Sequence, residues 1–162
     1  MQRASPSPLR ARRTGKMPSP TLLKTDEQEV LAANQAFYEA LEALDLEQMK
    51  AAWWHEDWVV CVHPGWDLIQ GWEEIQESWT NIFHSTEFMR VTVSRPLIHV
   101  VGEAAWVSCV ENVTSSFEGG FSTAMIEATN IFIRRNGRWK IVHHHAAPLP
   151  GRVPSGTSQA VQ

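Results

Sequence analysis

The chain predicts an α+β fold, a curved sheet whose concave face is covered by helices, and three observations carry that expectation. Apolar residues recur at three and four through the first half. Beyond Met89 the period changes to two. Asn136-Gly137 then joins two alternating runs, the strongest hairpin signal in the chain. Helices first and antiparallel strands afterwards is the order of an α+β domain.

The elements follow in order. "TDEQ" at residues 25–28 reads as a capping box, with Thr25 as N-cap and Gln28 three residues on. Val30, Leu31, Asn34, Phe37, Tyr38, Leu41 and Leu44 then mark one amphipathic helix. Asp45 can cap a short second helix over "LEQMKAAWW". "WVVCV" at 58–62 reads as a buried strand closed by the turn "HPGW". From Leu68 the spacing of Trp72, Ile75, Trp79, Ile82 and Phe83 predicts a third helix ending near His84. Met89, Val91 and Val93 alternate with polar residues in a strand that Pro96 should end. "LIHVV" and "AAWVSCVENV" flank a turn at Gly102-Glu103, "SSFEGG" reads as a loop, and "FSTAMIEATNIFIRR" as a long strand leading to "RWKIVHHHA".

Length and composition narrow the rest. A chain of 162 residues that is 43% hydrophobic suits one domain with a real core. Residues 1–24 carry Arg3, Arg10, Arg12, Arg13, Lys16 and Lys24 and no acid, leaving eight bases against eighteen acids in the remainder. That balance opposes nucleic-acid binding by the folded part. The expected organisation is a disordered basic tail over 1–24, a domain over 25–148 and a flexible tail over 149–162. An organelle-targeting presequence would share the tail's Arg- and Ser-rich composition, and so would a plain extension of a cytoplasmic protein. No run of eighteen apolar residues exists, so no membrane span is expected. Cys61 and Cys109 match neither a disulfide framework nor a metal pattern and read as buried thiols.

Element order and local motifs together resemble a known superfamily. "FYEALEALDLEQMKAAW", "HPGW", "GWEEIQESW" and "NIFIRRNGRWKIVHHH" are similar to the nuclear transport factor 2-like proteins, in their SnoaL-like and ketosteroid isomerase-like branches, over residues 26–148. The last third, from "IHVVGEAAWVSCV" onward, also resembles the association (hub) domain of calcium/calmodulin-dependent protein kinase II. The resemblance implies a conical half-barrel of mixed, mostly antiparallel strands, about three helices closing a pocket, and a homodimer. It does not fix an activity, because one fold hosts many.

Ketosteroid isomerases use a carboxylate base with a tyrosine and a protonated acid as donors. By the resemblance the tyrosine position falls at Phe37, with Tyr38 about 100° round the helix and pointing elsewhere. The base position falls at His63 and the acid position near Thr129, so steroid isomerisation is not expected. His63 remains as a candidate base, or as a turn histidine bonded to backbone beside Pro64. Glu111, Glu127 and Asn130 are polar residues inside apolar strands, and each needs solvent, a partner or a pocket. The hub resemblance makes Asn130 a pocket residue where the hub has arginine, while Glu127 reads as solvent- or dimer-facing.

Trp58 and Trp66 bracket strand and turn at the expected rim, and Trp79 adds a third aromatic wall. On the final strand Lys140 shares parity with His144, and Trp139 and Ile141 share theirs with His143 and His145. His143 and His145 are therefore the expected pocket pair, and His144 the peripheral one. Two histidines on one face do not complete a zinc set, so neither metal nor cofactor is expected. A small hydrophobic or aromatic ligand is. Two functions compete, cofactor-free acid–base chemistry of an isomerase, cyclase or dehydratase using His63, and a non-catalytic association module.

Overall fold

A computed structural model describes residues 21–151, with side chains from residue 25 onward. Helix α1 spans Thr21–Ala43, α2 Leu46–Ala52 and α3 Trp72–Ser85. The strands are β1 Val60–Val62, β2 Ile69–Gln70, β3 Phe88–Val101, β4 Ala104–Phe117, β5 Gly120–Arg135 and β6 Arg138–Pro148. They form one sheet in the order β2-β1-β6-β5-β4-β3, parallel only between β1 and β6. Three helices over a curved, unclosed, mostly antiparallel sheet make the expected α+β half-barrel.

The helices show where local signals work and where they slip. Asp45 caps α2 by accepting from the backbone N–H groups of Glu47 at 2.9 Å and Gln48 at 3.0 Å. Helix α1 begins at Thr21, not at Thr25, because Leu22, Leu23 and Lys24 are good helix formers that extend it. Helix α3 begins at Trp72, with Leu68 in the preceding loop and Ile69–Gln70 pairing with β1. The expected tails lie outside the described residues except for 21–24 and 149–151.

The Asn136-Gly137 hairpin behaves as read, and the expected loop before it does not. Asn136 (φ 52°) and Gly137 (φ 71°) both take positive φ in the two-residue turn between β5 and β6. "SSFEGG" is mostly strand, with Glu118-Gly119 alone forming the turn.

Pro96 does not end a strand. It sits at a register shift between Ser94 and Leu97 on β3, beside Arg95 at φ 53°, and β3 continues to Val101. An edge strand tolerates proline at such a bulge, since no ladder partner needs its missing N–H.

The core lies between α1, α3 and the concave face. Trp53, Phe37, Phe132, Met49 and Ile75 are its largest fully buried side chains.

Candidate functional site

A second irregularity decides which histidine faces inward. In the β5–β6 ladder Phe132 pairs with Ile141 and Ile131 pairs with His143, so Val142 has no opposite residue. This bulge reverses the side-chain alternation of β6. Trp139 and Ile141 face inward before it, His144 and Ala146 after it. The parity expectation is therefore overturned. His144 is buried, while His143 is half-buried and His145 exposed on the convex face.

His144 enters a cavity of about 280 Å³ between the sheet and helices α1 and α3. His63, Trp66 and Trp79 form one wall, with Leu41 and Ile82 from the helices. Glu111, Ser115, Ser122, Ala124 and Ile126 contribute the sheet side. His63 is placed by the turn after β1. Trp66 N–H donates to the His63 carbonyl at 2.9 Å, and Gly65 supplies the positive φ (80°) that a proline-led type II turn requires. The imidazole then stands edge-on to Trp79 (4.4 Å between centroids) and to Trp66 (5.0 Å). His63 is thus bound to a side chain rather than to backbone, with Nε2 2.8 Å from Ser78 Oγ.

Behind this wall runs a buried hydrogen-bond chain. Tyr38 donates to Glu111 Oε1 at 2.6 Å. Asn130 Nδ2 donates to Tyr38 Oη at 3.2 Å and to Asn34 Oδ1 at 2.8 Å. Asn130 Oδ1 lies 2.6 Å from His144 Nδ1. All five side chains are buried. The chain satisfies polar groups that would each cost about 1–3 kcal/mol unpaired.

Tyr38 is the main correction here. It was expected to point away because Phe37 takes the superfamily position, yet both are buried. The buried stripe of a helix is at least 100° wide, so neighbours 100° apart can both lie within it.

Burial sets the electrostatics. It pushes the Glu111 carboxyl up to about 7, against the lowering effect of the Tyr38 hydrogen bond. It pulls His63 down to about 4. His144 falls to about 3, through burial first and then its histidine neighbours. The Tyr38 hydroxyl is raised by burial and by Glu111. Near neutral pH both imidazoles are uncharged, and Glu111 is the cavity group that changes charge.

The remaining expected site residues divide. Trp66 and Trp79 line the cavity with His63. Asn130 sits one bond behind it, holding His144. Trp58 does not belong. It precedes β1 at the opposite end from the "HPGW" turn, and Arg135 lies over its ring at 5.5 Å. His143 and His145 do not belong either, for the reason of the bulge. Glu127 is exposed, as read. Among the described residues no cluster of three His, Cys, Asp or Glu is arranged to hold a metal ion. No described helix is long and apolar enough to cross a membrane.

A helix-covered half-barrel with a half-open cavity floored by polar side chains defines a pocket protein of the nuclear transport factor 2-like class. The chain belongs to the SnoaL-like domain family, whose profile matches residues 30–150. It is similar to a nuclear transport factor 2-like family protein of Streptomyces avermitilis with a provisional dehydratase assignment. That match has 34% identity and a TM-score of 0.74 and covers 78% of this chain and 98% of that one. It is also similar to a Thiobacillus denitrificans protein provisionally described as a calcium/calmodulin-dependent protein kinase type II association domain. There the identity is 31% and the TM-score 0.65, over 73% of this chain and 93% of that one. Arabidopsis thaliana F-box protein SKIP8 is 27% identical over 120 residues, which are 74% of this chain and 49% of that protein. The chain thus spans about half the length of that relative.

Proposed function

We propose that the cavity binds a small, flat, largely apolar organic molecule and that Glu111 transfers a proton to or from it without a cofactor. One observation carries this reading. Glu111 is a carboxyl only 3% exposed, on a cavity wall, and held near 7. A general acid–base works best when its pKa lies near the working pH, and such groups typically contribute 10²–10⁴-fold in rate. His63, the base expected from sequence, is a weaker candidate, because burial disfavours its protonated form. It serves instead as a neutral polar wall beside Trp66 and Trp79.

The volume, about 280 Å³, is near the lower end of ligand pockets and suits a one- or two-ring compound. The provisional dehydratase assignment of the 34%-identical Streptomyces relative is compatible with a single carboxyl shuttling protons.

Ligand-observed NMR with a panel of planar one- and two-ring compounds tests the proposal. Several should bind the wild type, and His63→Ala should weaken them. A panel in which nothing binds would refute it.

A second copy of the chain is the proposed macromolecular partner. The convex face leaves Leu97 65% and Trp106 37% exposed, with Val101 64% exposed at the strand end. Half-buried Ile131 and Ile133 extend this apolar area, which a monomer would leave in water.

A further inference from the structure

Hydrogen-bond polarity within the cavity says more about the ligand than its shape does, and the argument rests on the binding role proposed above. An ionised Glu111 can only accept, so the single hydroxyl hydrogen of Tyr38 goes to it. Tyr38 Oη must then accept from Asn130 Nδ2, whose second hydrogen goes to Asn34 Oδ1. Asn130 therefore turns its carbonyl oxygen to His144, and His144 Nδ1 must carry the hydrogen of that 2.6 Å bond. In the neutral ring the lone pair is left on Nε2, the nitrogen free to serve the cavity.

The opposite wall follows the same logic. Ser78 donates its one hydroxyl hydrogen to the Ile75 carbonyl at 2.7 Å. It can only accept from His63 Nε2, which leaves the lone pair of His63 on Nδ1. Cys61 Sγ, 3.8 Å from both ring nitrogens, offers at most a weak S–H donor.

With Glu111 ionised, as at pH 8, three acceptors thus bound the cavity: the second oxygen of Glu111, His144 Nε2 and His63 Nδ1. The lining contains no lysine or arginine. Ser115 and Ser122 can act either way, the indole N–H of Trp79 is fully buried and offers no donor to the space, and the remaining indole donor is Trp66, whose side chain is half exposed at the rim.

We infer that the ligand is a hydroxyl-bearing ring compound bound as a hydrogen-bond donor, and that the cavity discriminates against carboxylates and other anions. Buried acceptors left without a donor are costly, and a site built around a ligand hydroxyl strongly rejects the analogue lacking it. An anion would in addition face the Glu111 carboxylate with no cation to offset it.

Calorimetric or NMR titration of the 162-residue chain at pH 8 with 2-naphthol, 2-naphthoate and 2-methylnaphthalene tests this, since the three share a ring system and differ in the polar group. The naphthol should bind at least tenfold more tightly than either analogue. In Glu111→Gln, where an amide donor replaces the carboxylate, its advantage over the naphthoate should shrink several-fold. Equal or tighter binding of the naphthoate would overturn the inference while leaving the cavity's binding role intact. Equal binding of the methyl compound would do the same. Failure of all three to bind would overturn both. The wild-type comparison stands even if the variant does not fold.

Discussion

Glu111 concentrates the energetics of the site in one side chain. Its carboxyl is raised from 4.5 to about 7, so the fold favours the protonated form. That contribution is fully present below about 4.5 and is lost as the pH rises through about 7, a change on the order of 3 kcal/mol. Glu111→Gln should therefore gain stability relative to wild type as the pH goes from 5 to 8, read from melting temperatures. A difference independent of pH would contradict the buried charge. His63 and His144 act in the opposite sense. Their depressed values give stability that is present above about 6.5 and lost as the pH falls toward 4 and 3. Tyr38→Phe should cost about 1–3 kcal/mol in denaturant unfolding and move the Glu111 titration further upward, because Tyr38 donates the bond that favours the carboxylate. The polar residues that matter here stood out in sequence as interruptions of apolar strands. Tyr38 does not stand out, because it lies beside Phe37 within one wide buried stripe, where nothing in the spacing separates a core ring from a cavity hydroxyl.

Among the elements, β6 shows most clearly what a sequence conceals. Asn136-Gly137 and the alternation after it predict the strand correctly, since both are local signals. Which face His144 takes depends on an extra residue, Val142, relative to β5, and that is a property of pairing across the sheet. Nothing in "WKIVHHHAA" alone marks it. Deletion of Val142 should restore simple alternation, Ile141 inward, His143 outward and His144 still inward, because the pairing of His143 with Ile131 and of His144 with Asn130 is kept. An NMR pH titration of the deletion variant should still show His144 depressed by burial, and a His144 titrating like an exposed imidazole would contradict it. Pro96 slipped for a related reason, since whether proline stops a strand or sits in its bulge depends on the strand being an edge. Capping is more local. Asp45→Ala should destabilise the protein through loss of the two hydrogen bonds that Asp45 accepts from backbone N–H groups, read as a lower urea unfolding midpoint.

At the scale of the whole molecule, helices close one face of the sheet and leave the other bare. The closed face makes the cavity, and the bare face carries Leu97, Trp106, His143 and His145. If the bare face is the dimer surface, light scattering should give twice the chain mass at micromolar concentration, and Leu97→Lys or Trp106→Lys should shift it toward monomer. A wild-type monomer would exclude that pairing. The half-barrel was legible because its periodicities are long and its element order matches a whole superfamily. Cavity chemistry was less so, because it arises where α1, α3 and four strands converge, and that convergence is long-range. The cavity holds one carboxyl poised to change charge near neutrality. A carbon-detected NMR pH titration of the glutamate carboxyls, with Glu111→Gln to assign the resonance, measures this directly. One glutamate should titrate at about 7 and be absent from the variant. A Glu111 titrating near its ordinary 4.5 would contradict a carboxyl poised near neutrality.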